Sequence, residues 1–487
     1  MTKKKTIFER EFLVFFVVLF LTLFNTVNLQ QNTVLFMSIP QYVLVFFFLI
    51  QRKFSIAFLL HTVFVAACVS KGIVIEEGVS PFLYTQMRVY GPITFDLIVL
   101  VALWLSVRGR AIPVSKDSLL LKTRNTFFYL LVLASVIGLI GCLFIKFYDW
   151  KFWLSRILFV GEVYLFIDIF LHLYSEWLSK LFALVALCMI AAAPVASFLS
   201  YSVFGVFAYY GYDIIPLYNP IFTLTPCLII AIFQLDNNKL RVISLIGLVF
   251  YVLHSLILSR GSQFLDVFVA LVLLAYLVYF KKSNNFQLKS LKLLLPVIII
   301  GVVPFAIGAF TSGSDVSMRK FEQFTSLFTL FGSSGGGLTL SMDELGSSPY
   351  IRVAELANII SEGLHNILAL VFGNGFGGYY TDELGLFTGL DLSGGAFSYD
   401  AALQYGRFYN AHSAIPNVLH YNGLIGLFLM LRLAFFYLRR VDRTFLVFAA
   451  FVLFVQNFYF DMFGCLSFIM ALFGAEYALN NSKESTL

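Results

Sequence analysis

Apolar runs long enough to cross a bilayer recur along this whole chain, and basic residues fall on every second connection between them. A helix needs roughly 20 apolar residues to span hydrocarbon. In lipid every backbone N–H and C=O must find its partner inside the protein, so long unalternating runs become helices. They lie near 12–29, 33–50, 54–70, 91–107, 125–146, 157–174, 178–200, 216–235, 240–259, 262–280, 293–310, 413–438, 444–461 and 463–480. The expectation is an all-α polytopic membrane protein with about 14 transmembrane helices. Of its 487 residues, 60% are hydrophobic and 12% charged, far from a soluble balance.

Lys and Arg near span ends stay on the cytoplasmic side. Lys3–Lys5, Arg52 with Lys53, the run Arg108 to Arg124, Lys239 with Arg241, Lys281 to Lys292, and Arg439 to Arg443 occupy alternate connections. Both termini are therefore expected inside. The formal net charge of +6 is a topology signal and points to no nucleic-acid partner. No small-residue cleavage site follows the first apolar run, which reads as a retained helix. The five cysteines all fall within predicted spans without paired or ligand-like spacing, and read as packing residues.

The alternation puts one segment, 311–411, outside as a polar loop of about a hundred residues. It divides the chain into spans before it (1–310), the loop itself, and spans after it (412–487). The loop is acidic and opens on glycine- and serine-rich sequence at 333–337. From Tyr350 to Phe372, Leu356, Ile360, Leu364, Ile367 and Val371 recur near a 3.6 period, with Arg352, Glu355, Glu362 and His365 opposite. That pattern predicts an amphipathic helix on the outer membrane surface, ending at Gly373.

Several residues here can carry chemistry. Arg260 stands on the outer side, where basic residues are scarce; it either snorkels to lipid phosphate or grips a phosphate with its planar fork. Asp266, about two turns on, is placed to orient it. Gly373 and Gly375, in the run Gly373-Asn374-Gly375-Phe376-Gly377-Gly378, match a dinucleotide spacing but lack the strand and helix that signature requires. They either bring amide groups to an anionic or sugar ligand or turn the chain sharply. His412, preceded by Arg407 and Asn410 at the mouth of the next span, has a side chain suited to taking a proton from a hydroxyl. Asp96, Glu162, Asp168 and Glu476 lie in spans, where a carboxylate needs a partner or a function.

Taken together, these pieces resemble the superfamily of O-antigen polymerases and O-antigen ligases, bacterial inner-membrane glycosyltransferases. The resemblance rests on Ser259-Arg260-Gly261, on Arg352 opening a helix that runs into Leu370 to Gly377, on Ala411-His412-Ser413, and on Tyr421 to Gly426. It covers mainly residues 240–440. The family commonly has His-Asn where this chain has His412-Ser413, so no role passes to Ser413, and Asn410 is the candidate substitute.

The resemblance implies a GT-C-like membrane enzyme of the bacterial inner membrane with its site facing the periplasm. It implies a donor oligosaccharide on undecaprenyl diphosphate, membrane lipids as surroundings, a chain-length regulator as partner, and neither cofactor nor metal. Under it Arg260 and Arg352 neutralise the departing diphosphate, Arg407 assists, and His412 positions or deprotonates the acceptor. Asp343-Glu344 and Asp382-Glu383 are carboxylate pairs that a cation would suit. About fourteen spans and the His-Ser pair favour a polymerase over a ligase acting on lipid A-core. A flippase for the lipid-linked repeat fits the span number, but the chain shows neither internal repeats nor a transporter's short loops.

Overall fold

Among the described residues the apolar runs fold as helices. The computed structural model describes residues 2–68, 80–91, 93–115, 118–205, 228, 231–232, 235, 237–258, 347–388, 406–411, 413–439 and 472–474. In order come α1 (Thr2–Val27), α2 (Leu35–Ile50), α3 (Phe54–Ala66), α4 (Phe95–Val107), α5 (Leu119–Phe144), α6 (Trp150–Leu173), α7 (Glu176–Phe204) and α8 (Asn238–Leu258). The outer-loop sequence supplies α9 (Ser347–His365) and α10 (Ile367–Phe372), and α11 (Ala414–Leu438) follows. Two small antiparallel ribbons pair β1 (Arg88–Tyr90) with β2 (Ile93–Thr94) and β3 (Tyr380–Thr381) with β4 (Arg407–Phe408).

Among the described residues five segments are long and apolar enough to cross a membrane: Arg10–Val27, Asn32–Ile50, Leu119–Phe144, Glu176–Phe204 and Ala414–Leu438. The predicted spans 216–235, 262–280, 293–310, 444–461 and 463–480 lie wholly or largely outside the described residues. Two expected spans are shorter than read from the sequence. α3 and α4 have 13 residues each, because α3 stops at Ala66 and α4 begins only at Phe95. Before α4, Gly91 takes φ +52° and turns the chain into the β1–β2 ribbon.

α7 is the most enclosed of these helices, with Ala186 through Ala193 buried throughout. Small residues let neighbours approach it closely. A Cβ on Gly247 of α8 would lie 2.8 Å from the Ala191 Cα.

Long-range contacts join connections that the charge alternation assigns to the same side. Glu11 accepts from Asn237 at 3.0 Å, and Arg110 lies over the Phe54 ring. The Thr123 and Tyr437 hydroxyls are 2.7 Å apart. At the opposite end, the Ser80 amide donates to Leu29 O, and Tyr409 donates its hydroxyl to Phe147 O at 2.9 Å. α5 and α11 therefore run antiparallel, and the loop sequence meets the 145–149 connection.

Where those two helices meet, α11 is broken. Gly423 has φ 59° and ψ −157° inside it, which interrupts the helical hydrogen-bond ladder. The carbonyls of His420 and Tyr421 accept instead from the amides of Asn374 (2.7 Å) and Gly375 (3.2 Å), while Phe376 N donates to Ala134 O of α5 (2.9 Å). Asn422 Nδ2 adds a bond to Leu130 O at 2.9 Å. This wedge has no room for side chains at its glycines. A Cβ on Gly375 would lie 2.8 Å from Gly138 Cα, and one on Gly423 would lie 2.5 Å from Val371 O. Gly373, Gly375 and Gly377 have φ of +82°, +71° and +79°, in the left-handed region open to glycine.

Gly375→Ala therefore combines backbone strain with a steric clash and is expected to destabilise the protein by roughly 2–5 kcal/mol. Gly385→Ala, at φ +67° with nothing within 4 Å of its Cβ, carries the strain alone, about 1 kcal/mol. Thermal unfolding in detergent should show a much larger drop for the first. Equal drops would contradict the packing role.

Candidate functional site

α9 forms where the sequence predicts it, but its two faces are used in an instructive way. Its polar stripe, Glu355, Asn358 and Glu362, turns inward against the segment 380–387. The buried Glu355 accepts from the Tyr380 hydroxyl at 3.3 Å. Asn358 donates to Asp382 at 2.8 Å and accepts from Leu384 N, and Glu362 accepts from the Thr381 amide. The apolar stripe is divided: Leu356 packs against the cluster of buried Tyr350, Ala354 and Ile359, whereas Leu364 and, in α10, Ile367 and Leu368 are 67%, 62% and 66% exposed. This is a surface for lipid to cover.

The single predicted helix 350–372 is two helices. Asn366 leaves helical geometry at φ −129° and its side chain accepts from Ala369 N, capping α10. Asparagine is among the strongest residues at this position, so the signal was present in the sequence. The break lets α10 deliver Gly373 to the kink in α11.

Arg352 lies in α9 three residues before Glu355, half-buried. Burial pulls its pKa down while the Glu355 charge pulls it back up. Among the described residues no carboxylate makes an ion pair with it. From Glu355 the Tyr380 hydroxyl leads on to Asn410 O at 3.3 Å. A second line reaches the same residue. Arg156 of α6 is hydrogen-bonded to the Tyr421 hydroxyl, which lies 2.8 Å from Tyr409 O and 3.4 Å from Asn410 Oδ1. Asn410 thus joins both lines two residues before His412. Asn417 clamps the intervening Ala411, accepting from its amide and donating to its carbonyl, each at 2.8 Å.

His412, Arg260 and Asp266 lie outside the described residues. Arg407 sits in β4, its guanidinium 3.3 Å from the Phe147 ring centroid and 5.5 Å from that of Tyr379. Gly373 and Gly375 differ from expectation as ligand contacts. The Gly373 amide donates to Ala369 O and the Gly375 amide to Tyr421 O. Their amides are spent inside the protein, and the run works as a wedge.

The Asp382-Glu383 pair is divided between two tasks. Asp382 accepts from Asn358 and from the Leu386 and Phe387 amides, each at 2.8 Å, while Glu383 pairs with His365 at 2.8 Å. Asp343 and Glu344 lie outside the described residues, as does Glu476. Of the other carboxylates in spans, Asp168 holds a structural network, accepting from Trp104 at 2.8 Å and pairing with Arg124 at 2.7 Å. Asp96 and Glu162 are buried.

Sequence reasoning passed over Tyr380, Asn417 and Arg156, and gave Glu362 no role. The expected span 157–174 makes Arg156 a flanking residue. α6 in fact starts at Trp150, capped by Asp149, which accepts from the Lys151 and Phe152 amides, so Arg156 lies inside the helix.

No family model, curated protein or solved structure matches this chain.

Glu362 supplies the clearest pH signature. Burial, then the nearby Glu383 charge, push its carboxyl up from 4.5 to about 7, against the Thr381 hydrogen bond. One of its oxygens, Oε2, is buried without a hydrogen-bond partner. A carboxyl raised in the fold favours the protonated state there. Its stabilising contribution is complete below 4.5 and lost as pH rises through about 7. Glu362→Gln should therefore remove that part of the stability loss on going from acid to neutral pH. Thermal unfolding in detergent across this interval measures it, and an unchanged pH slope would contradict the assignment.

Proposed function

We propose that this protein is a surface-polysaccharide polymerase. It moves a growing glycan from a polyprenyl diphosphate carrier onto the sugar end of another lipid-linked repeat unit, at the outer face of the bacterial inner membrane. The observation that carries this reading is the convergence of two hydrogen-bonded lines on Asn410, one from Glu355, three residues after half-buried Arg352, and one from Arg156, directly before Ala411 and His412.

The chemistry asks for two things at one interface. A departing diphosphate needs cations in a partly desolvated place, where charge-assisted hydrogen bonds are strong. An attacking hydroxyl needs an acceptor for its proton held at a fixed distance. Arg352 serves the first need, together with Arg260, and Arg407 assists. His412, which follows the Asn417-clamped Ala411 in sequence, serves the second. The exposed apolar stripe of α9 and α10 suits a site that must accept a donor still anchored in lipid.

Reconstitution in liposomes with purified lipid-linked repeat unit tests this. Wild-type protein should yield a ladder of longer glycans without added lipid A-core, whereas transfer that requires the core would establish the ligase reading. Movement of the repeat unit across the bilayer with no glycan extension would establish the flippase. Arg352→Ala and His412→Ala should each lower extension by at least roughly a hundredfold, with monodisperse protein retained on gel filtration. Full activity in either would overturn that residue's role.

A further inference from the structure

Arg156 occupies a place that structural needs leave unexplained. It lies six residues into α6, about 9 Å along the helix from Trp150. Its guanidinium is flanked by the Phe159 and Tyr421 rings at 5.9 and 5.8 Å. Its Nε is buried with no hydrogen-bond partner, and its contact with Tyr421 is made through the phenolic hydroxyl. Among the described residues no carboxylate makes an ion pair with it. Asp149, about two turns earlier, is committed to capping α6. Asp168, further along the same helix, is committed to Trp104 and Arg124.

A guanidinium carries five donors and a permanent charge. Within a membrane-spanning protein such a group normally pairs with a carboxylate, lines a water path or meets a substrate. Here the flanking partners are two aromatic rings and one hydroxyl. The guanidinium with its unbonded Nε lies beside Tyr421, whose hydroxyl is bonded to Tyr409 O and Asn410 Oδ1. An anion with tetrahedral oxygens, which an arginine fork fits, would complete this group.

We propose that Arg156 is a further binding residue for the diphosphate of the lipid-linked donor, gripping it from the bundle side while Arg352 grips it from the loop side. This rests on the polymerase reading above. Tyr421 is the positioning residue that holds the guanidinium toward Asn410. The same fork would also suit the phosphate of an ordinary phospholipid, so the test separates the two sources.

Native mass spectrometry of the full chain in detergent, titrated separately with polyprenyl diphosphate and phosphatidylglycerol, provides that test. Wild-type protein should bind the diphosphate lipid more tightly than phosphatidylglycerol. Arg156→Ala should weaken diphosphate binding roughly 10- to 100-fold, the range spanned by losing charge-assisted hydrogen bonds to a phosphate, and leave phosphatidylglycerol binding unchanged. Arg156→Lys should restore part of the affinity, because charge returns without the fork, and Tyr421→Phe should weaken it less than Arg156→Ala. If Arg156→Ala fails to fold, those two variants carry the test.

Diphosphate binding unchanged in Arg156→Ala, while lost in Arg352→Ala, would overturn this assignment and leave the polymerase reading standing. Equal loss of both lipids in Arg156→Ala would make Arg156 a headgroup anchor and overturn it as well. Failure of wild-type protein to prefer the diphosphate lipid would count against the polymerase reading itself.

Discussion

The glycine run 373–378 and the kink in α11 hold each other in place. A helix interrupted at membrane depth leaves carbonyls with no water to turn to, and each costs several kcal/mol if unsatisfied. At Gly423 that debt is met by the Asn374 and Gly375 amides, while Phe376 ties the same strip to Ala134 of α5. The loop can approach because the contacts are glycine against glycine: Gly375 on Gly138, and Gly423 on the Val371–Gly373 backbone. The described part of the long polar segment is hung from this point. α10 ends on it, Tyr379 and Tyr380 leave from it, and Tyr421 and His420 project from the kink toward Asn410 and Gly378.

Solvent inversion explains the other half of the arrangement. In water, α9 would bury Ile360 and Leu364 and expose Glu355 and Glu362. Here Glu355, Asn358 and Glu362 face inward and bond to Tyr380, Asp382 and Thr381, with Glu362 Oε2 left unpartnered, while Ile360 and Leu364 are exposed. A protein surrounded by lipid gains little by burying leucine and much by pairing polar groups with one another. Turning Glu355 inward also keeps Arg352 beside a carboxylate that is itself hydrogen-bonded. Among the described residues the cation is thus positioned without an ion pair.

Much of this was legible from residue order. Hydropathy located α2 and α7 within a few residues and the C-terminal ends of α1 and α5, which begin at Thr2 and Leu119, well before the expected spans, and the 3.6 period located α9 with Arg352 in it. The reading went astray where a single residue outweighs the pattern. Gly91 starts α4 late through its positive φ, and Asn366 caps a new helix where the apolar period runs on unbroken. Arg156 was assigned to a boundary because hydropathy windows discard a charged residue at a span end, whereas the Asp149 cap fixes the true start of α6.

The sequence alone determined that this chain is a helical membrane protein, which connections share a side, and that one long polar segment carries an amphipathic helix. Those properties follow from local periodicity and from the transfer energies of single residues. Only the tertiary structure decided what the glycine run does, that Asn410 receives two hydrogen-bonded lines, and that Arg156 has no ion-pair partner among the described residues. Each depends on residues far apart in sequence, such as Phe376 with Ala134, Tyr380 with Asn410, and Arg156 with Tyr421. Pairings of that range are fixed by how helices pack, and no local pattern records them.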